Sequence, residues 1–140
     1  MFATIVIFAF MVLETSNVLA LYFAPGSKVA NAVGVFSAWE RSKQDPQVHD
    51  LVKYLVYWVA GAKLIFLLLL GVIAFYGSPE IKRMALVALC LATLSFYWRL
   101  FPLIKKQDQQ GLIDPKNYSS VLAVLIAVFI LLFALAAIFG

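Results

Sequence analysis

Four long apolar runs, separated by short polar segments, set the pattern of the chain. They cover approximately residues 2–23, 51–76, 84–101 and 118–139. Prolines lie beside three of the runs, at Pro25, Pro79 and Pro102, where a helix cannot easily continue. Because a helix needs ~20 apolar residues to cross a bilayer, the pattern predicts an all-α integral membrane protein. We expect a four-transmembrane-helix bundle, built as two hairpins, in a single transmembrane domain over residues 1–140.

The connection after the first run, loop 1, carries a shorter pattern. From Ser27 onward apolar side chains recur at helical spacing, at Val29, Ala32, Val33, Phe36 and Trp39. Such spacing predicts a short amphipathic interfacial helix that lies in the plane of the lipid headgroups. This helix would act either as an anchor or as a gate or docking surface over the mouth of the bundle.

The second and fourth runs share a start signal. Asp45-Pro46 precedes one run and Asp114-Pro115 precedes the other. An aspartate at an N-cap accepts hydrogen bonds from backbone N–H groups, and a proline in the first turn removes an N–H that has no partner there. We therefore expect Asp45 and Asp114 to cap these two helices.

The composition restricts the class of protein. Apolar residues make up 64% of the chain and charged residues 13%, with a mean hydropathy of +0.97, whereas an average soluble domain has about 25% charged residues. This composition excludes a soluble globule and a second, soluble domain. The single cysteine, Cys90, excludes an internal disulfide, and the single histidine, His49, excludes a bis-histidine haem. Without an HExxH, CxxC or Gly-rich phosphate motif, or an acidic cluster for magnesium, we predict no cofactor and no metal.

The basic residues are unevenly distributed. Eight of the eleven Lys and Arg lie in or beside loops 1 and 3, and two lie in the short loop 2. By the positive-inside rule, we predict a multi-pass protein of the cell membrane with loops 1 and 3 in the cytoplasm and both termini outside. The net charge of +4 then serves contacts with the lipid bilayer, and we expect no nucleic-acid partner. Because no basic residue precedes the first run, we expect a retained span rather than a cleaved signal peptide.

Two ionisable residues interrupt the apolar runs. Glu14 lies in the middle of the first run and Lys63 in the second. A charge at the centre of a bilayer costs about 2.5–3.5 kcal/mol on insertion scales, so each residue needs a partner or internal water. Glu14 lies nine residues before Phe23 and Lys63 nine residues after Tyr54, which places both ~14 Å from the same membrane edge. We predict an intramembrane ion pair between them.

Further polar and small residues extend this picture. Asn17 shares a helix face with Glu14, because the two are three positions apart. Two stripes of small residues, typical of close helix packing, follow helical spacing: Ala85, Ala88, Ala92 and Ser95, ending at Arg99, in the third run, and Ser120, Ala123, Ala127, Ala134 and Ala137 in the fourth. We therefore expect a buried polar site, a candidate for ligand binding, built from Glu14, Asn17 and Lys63, with Ser95 and Arg99 as further members.

Three function classes fit these residues. A transporter or channel subunit for a small solute or ion, acting as an oligomer, would bind its cargo at the polar site. A non-enzymatic accessory or assembly subunit of a larger membrane complex would use the small stripes and loop 1 to contact other membrane subunits. An intramembrane enzyme on a lipid or hydrophobic substrate would depend on His49, Asp50 or Arg99, and the residues support this class least. The charges, which are expensive to insert, favour transport.

Overall fold

The structure, a computed structural model that describes residues 1–140, is all-helical and has no β-strand. Its helices are α1 (Phe2–Phe23), α2 (Ser37–Ser42), α3 (Pro46–Tyr76), α4 (Pro79–Leu94), α5 (Phe96–Gln109) and α6 (Tyr118–Phe139). Helices α4 and α5 follow each other directly and form one segment. Four segments, namely α1, α3, α4 with α5, and α6, are long and apolar enough to cross a membrane, which confirms the predicted pattern of four apolar helices.

The α-helix of the third apolar segment is interrupted at Ser95, and the segment continues beyond its proline. The Ser95 hydroxyl donates to the carbonyl oxygen of Ala92 at 2.6 Å, and this kind of local bond often bends helices. Pro102 lies inside α5 without ending it, so the helix continues for seven residues past the proline, to Gln109. The sequence placed the end of this run near residue 101, and the structure extends the helix well past that point.

The helices pair as two hairpins, as the sequence predicted. Helix α1 packs along α3, α4 packs along α6, and contacts between α1 and α6 join the two hairpins. Helix α3 makes few contacts with α4, and no substantial contact joins α3 to α5. The bundle is therefore a horseshoe in the order α3, α1, α6 and α4–α5, with an open side between α3 and α5 that we call the seam.

The bundle has two distinct ends. Met1, Gly140 and loop 2 lie at one end, the terminal end, and loops 1 and 3 lie at the other, the loop end. A tightly packed core fills the terminal half, and three of the four segments contribute its largest fully buried side chains: Ile7, Leu86 and Phe133. The loop half is held by a second, smaller core around Phe96, Ile104 and Ile113.

Loops 1 and 3 join into one layer that covers the loop end, and we call it the loop layer (residues 24–45 and 110–117). Phe36 and Ile113 form an antiparallel bridge, with Ser37 N–H donating to the Leu112 carbonyl at 2.9 Å and Asp114 N–H donating to the Val35 carbonyl at 2.9 Å. Lys28 also forms an ion pair with Asp114. Contacts between residues that are far apart in sequence therefore determine the shape of this layer.

The amphipathic helix expected from Ser27 does not form over that range. The backbone at Ala30 and Asn31 has positive φ angles of 53° and 58°, which interrupt a right-handed helix. A 3-10 turn follows at Val33–Val35, and the only α-helix in loop 1 is α2, Ser37–Ser42. Of the apolar residues expected on the lipid face of this helix, Ala32 and Trp39 are instead buried inside the loop layer.

The two predicted aspartate caps have different outcomes. Asp45 caps α3 as expected, because its carboxylate accepts from the N–H groups of Gln47 at 3.0 Å and Val48 at 3.3 Å. Asp114 does not cap α6, because its backbone is held in the bridge to loop 1. Asp108, at the end of α5, takes over this role.

The Asp108 carboxylate satisfies three donors at the start of α6. It accepts from the backbone N–H groups of Asn117 at 3.2 Å and Ser119 at 2.9 Å, and from the Ser119 hydroxyl at 2.6 Å. Helix starts leave N–H groups without partners inside the helix, so Asp108 fastens α6 to α5 at the loop end.

Candidate functional site

The predicted ion pair is present at mid-length of the first hairpin. The Lys63 ammonium on α3 donates to Glu14 Oε2 on α1. The Asn17 amide donates to the other carboxylate oxygen, Oε1, at 3.2 Å. Three of the five residues expected at the polar site therefore form one connected cluster, which we call the polar cluster (Glu14, Asn17 and Lys63).

The polar cluster is largely withdrawn from the surface. The Glu14 side chain is 13% exposed and the Lys63 side chain 29% exposed, and Asn17 is buried. The two intervening residues, Thr15 and Ser16, point outward, so this polar turn divides between an inner and an outer face. Ion pairs in such surroundings require good pairing to offset the loss of solvation, and the Asn17 bond adds to that pairing.

A cavity of about 590 Å³ extends from the polar cluster towards the loop end. Its walls are mostly apolar and come from α1, α3, α5, α6 and loop 1. The polar side chains that line it are Glu14, Asn17, Asn31 and Lys63. Ligand sites for small molecules are typically apolar cavities of about 300–1,000 Å³ with a few polar groups that fix orientation, and this cavity has that form.

The cavity opens sideways, through the seam. Leu55 and Val59 on α3 and Leu100 on α5 line the cavity and are also between 45% and 51% exposed, so they form the two lips of the opening. At the loop end, Val33 and Phe36 of the loop layer line the cavity and cover it. The Tyr118 hydroxyl holds this cover in place by donating to Asn31 Oδ1 at 2.6 Å.

Aromatic side chains close the terminal side of the polar cluster. Phe10 lies one turn before Glu14 on α1, and Phe66 lies one turn after Lys63 on α3. The ring of Phe10 packs against Phe66, Phe129 and Phe133, with ring centroids 6.2, 5.4 and 5.1 Å apart. We call these four residues the phenylalanine cluster. The polar cluster thus lies between the large cavity and this aromatic layer, and a second cavity of about 420 Å³ between α3 and α4 also reaches Glu14 and Lys63.

The structure does not bring Ser95 and Arg99 to this site. Ser95 lies at the junction of α4 and α5, where it is exposed and its hydroxyl donates to the Ala92 carbonyl. Arg99 is exposed, and its guanidinium carbon lies 5.3 Å from the centre of the Trp98 ring. The small stripe of α4 likewise faces outward, since Ala88 and Ala92 are exposed beside a shallow apolar groove next to α3.

Sequence reasoning missed other residues that lie close to the site. Asn31 lines the large cavity, and Thr93 and Tyr118 line a smaller cavity of about 290 Å³ that also reaches Glu14 and Asn17. Asn31 offered one local signal, because asparagine tolerates the left-handed backbone conformation that it adopts here. Its place beside the site follows from the folding of loop 1 over the bundle.

The residues expected for an intramembrane enzyme do not converge on a site. His49 Nδ1 lies 2.8 Å from the Ser42 hydroxyl, and its ring packs on Trp39 with a centroid distance of 4.8 Å. Asp50 pairs with the neighbouring Lys53 at 3.9 Å. None of His49, Asp50 and Arg99 lines the cavities described above, and no group of three or more His, Cys, Asp or Glu side chains comes together to bind a metal ion.

No protein-family model, curated protein or solved structure matches the chain.

Proposed function

We propose that the chain is a multi-pass membrane protein that transports a small solute, acts as an oligomer, and binds the solute at the polar cluster. One observation carries the proposal: a 590 Å³ cavity ends on the Glu14–Lys63 pair. Ionisable residues inside a membrane are expensive and commonly mark substrate or ion pathways. Many transporters bind substrate near the midplane of the bilayer, where the sequence spacing places this pair.

The distribution of basic residues supports an orientation. The loop end carries eight of the eleven Lys and Arg, so the positive-inside rule assigns it to the cytoplasm and the termini to the outside. In this orientation the cavity occupies the cytoplasmic half and the phenylalanine cluster closes the outer half. The arrangement fits one state of an alternating-access cycle better than a continuous channel, because packed aromatic rings block the outer side of the polar cluster.

The test is transport by the purified protein in phosphatidylcholine vesicles. Vesicles that enclose a pH-sensitive dye are exposed in turn to a single-chain carboxylate, a single-chain quaternary ammonium and a zwitterionic amino acid, and radiolabelled forms of the same probes report uptake directly. We expect one probe to be taken up faster than in protein-free vesicles, with at least a tenfold loss in Glu14→Gln and no loss in Ser16→Ala. Ser16 is the matched control because it is a polar neighbour on the outer face of α1. Uptake that is equal for wild type, Glu14→Gln and empty vesicles would reject transport.

A second candidate function is favoured by the exposed small face of α4. Ala88 and Ala92 lie unpartnered beside the groove next to α3, and small residues permit close approach of another helix. A non-enzymatic accessory subunit would use this face to contact a larger membrane complex, while the ion pair fixes the register of α1 and α3. Gentle extraction from the native membrane discriminates the two: a stoichiometric partner protein that is retained by Glu14→Gln but lost in Ala88→Leu supports the accessory role.

A further inference from the structure

Resting on the proposed function, we propose that the transported solute is a long-chain carboxylic acid that reaches the polar cluster from the bilayer, through the seam. The juxtaposition that carries this inference is a side opening lined by apolar residues, which leads to an ammonium group with unused hydrogen-bond donors. The route, the walls and the head-binding end of the cavity each support one part of the proposal.

The route follows from which sides of the cavity are closed. The loop layer covers the loop end with Val33 and Phe36, and its own bridge between Phe36 and Ile113 holds it there. The phenylalanine cluster closes the opposite side. The second cavity that reaches Glu14 and Lys63 lies between α3 and α4, on the same side of the bundle as the seam. This side is therefore the opening that remains, and in a four-helix membrane bundle it faces lipid hydrocarbon rather than water. A solute that uses it must first dissolve in the bilayer.

The apolar walls of the cavity indicate the size and polarity of the part of the solute that lies beyond its head group. From Lys63 the cavity follows α3 back to Val52, eleven residues away, which corresponds to ~16 Å along the helix. Along this length α5 faces it with Phe96, Leu100 and Ile104. An apolar space of this length and of about 590 Å³ has room for one hydrocarbon chain.

The polar cluster determines the head of the solute. A lysine ammonium has three N–H donors and an asparagine amide has two, and the Glu14 carboxylate uses one donor from each residue. The hydrogen bonds within the cluster therefore leave donors unused, and Lys63 is the most exposed member of the cluster and lines the cavity. A head group that supplies oxygen acceptors matches this end of the cavity.

Charge balance favours a protonated carboxylic acid over a head group that carries a permanent charge. The Glu14–Lys63 pair is neutral, so a ligand that carries its own proton leaves the site neutral. A carboxylic acid dissolves in a bilayer in its protonated form and can share that proton with Glu14 while its oxygen accepts from Lys63. A phosphate monoester brings about −1.5 to −2 charges near pH 7, which is more than one ammonium can balance.

The test measures binding of tritiated palmitate to the full chain in phosphatidylcholine nanodiscs. We expect saturable binding of palmitate that unlabelled palmitate displaces. Hexadecanol and hexadecyltrimethylammonium, at equal membrane concentration, should not displace it. Lys63→Met should weaken binding at least tenfold, whereas Lys63→Arg should retain most of it and Ser16→Ala all of it. Leu100→Trp, which narrows the seam without changing a charge, should slow palmitate binding at least fivefold, whereas Leu103→Trp, a matched exposed leucine of α5 that does not line the cavity, should not.

The outcomes separate this inference from the proposed function. If hexadecyltrimethylammonium binds and palmitate does not, the acid head is overturned while a Glu14-dependent transport site stands. If palmitate binds equally well to wild type and Lys63→Met, the head-binding role of Lys63 is overturned. If Leu100→Trp binds palmitate at the wild-type rate, the seam route is overturned. If no single-chain probe binds and vesicle uptake is also independent of Glu14, both proposals fall together.

Discussion

Lys63 donates to Glu14 although the two residues are 49 positions apart in the chain, and this contact brings α1 and α3 to one level at mid-length of their hairpin. The register is visible on both sides of the pair. Nearer the loops, Tyr22 stacks on Tyr57 with rings 6.2 Å apart and 15° from parallel, and nearer the termini Phe10 meets Phe66. Any slip of α1 along α3 would therefore break the ion pair and both aromatic contacts together.

Removing one charge of the pair should destabilise the protein more than removing both. Breaking a buried pair leaves one uncompensated charge and typically costs about 3–5 kcal/mol, whereas replacing both partners with apolar residues is often neutral. We expect Lys63→Met to lower the unfolding temperature clearly and the double variant Glu14→Leu/Lys63→Met to restore most of the loss. Thermal unfolding in detergent, followed by circular dichroism, measures both effects.

The control for this comparison is Ser16→Leu, an outward-facing change of similar size on α1. It should leave the unfolding temperature near that of wild type. If the double variant lost as much unfolding temperature as the two single variants together, Glu14 and Lys63 would not depend on each other, contrary to the structure.

The ion pair could be predicted from the sequence because helices convert chain position into depth. Each residue adds a fixed rise, the apolar runs mark the membrane edges, and Glu14 and Lys63 then come to the same level with no further information. The two hairpins follow in the same way from short connections between long runs. These inferences need only local spacing.

Ser95, Arg99 and the loop layer could not be predicted in this way. The α-helix is interrupted at Ser95, and Ala92, Ser95 and Arg99 are all exposed, so the stripe that their spacing predicted lies at the surface rather than in the polar cluster. The loop layer depends on the pairing of Phe36 with Ile113, which are far apart in sequence. Helical spacing in loop 1 was therefore a poor guide, since the apolar residues there pack into a layer instead of forming one helix.

The loop layer should be sensitive to a methyl group at Gly34. A Cβ at this position would lie 1.9 Å from the Gly26 carbonyl oxygen, so the two segments of loop 1 must move apart in Gly34→Ala. We expect trypsin to cleave loop 1, at Lys28, Arg41 or Lys43, at least fivefold faster than in wild type. Gly71→Ala is the control, because its Cβ meets only the end of Met11 at an ordinary distance of 3.4 Å. Equal cleavage rates in the two variants would show that the close approach does not hold the layer.

The sequence predicts that Asp114 caps α6, whereas in the structure Asp108 caps it. Loss of an N-cap side chain costs about 0.5–2 kcal/mol, and here Asp108 makes the cap bonds. Asp108→Ala should therefore speed hydrogen exchange at the amides of Asn117 and Ser119 severalfold and lower the unfolding temperature. Asp114→Ala should change both less, because its ion pair with Lys28 is exposed and exposed pairs contribute little. If Asp114→Ala changed hydrogen exchange and the unfolding temperature more than Asp108→Ala, Asp114 would be the cap of α6.

The phenylalanine cluster should act as the barrier on the terminal side of the polar cluster. Phe10→Ala removes the ring that contacts the other three members and that packs against the core of the terminal half, so it should loosen the packing on the terminal side of the polar cluster. Thr93 lines two cavities beside Glu14 and is a suitable reporter position. In a Thr93→Cys/Cys90→Ser background, which leaves a single thiol, a membrane-impermeant thiol reagent added from the terminal side should label residue 93 at least tenfold faster when Phe10→Ala is present.

Phe75→Ala is the matched control, since Phe75 is exposed and lies outside the cluster, and it should leave the labelling rate unchanged. A rate that Phe10→Ala does not raise would mean that other side chains close this side of the site, and the alternating-access interpretation would then need a different barrier.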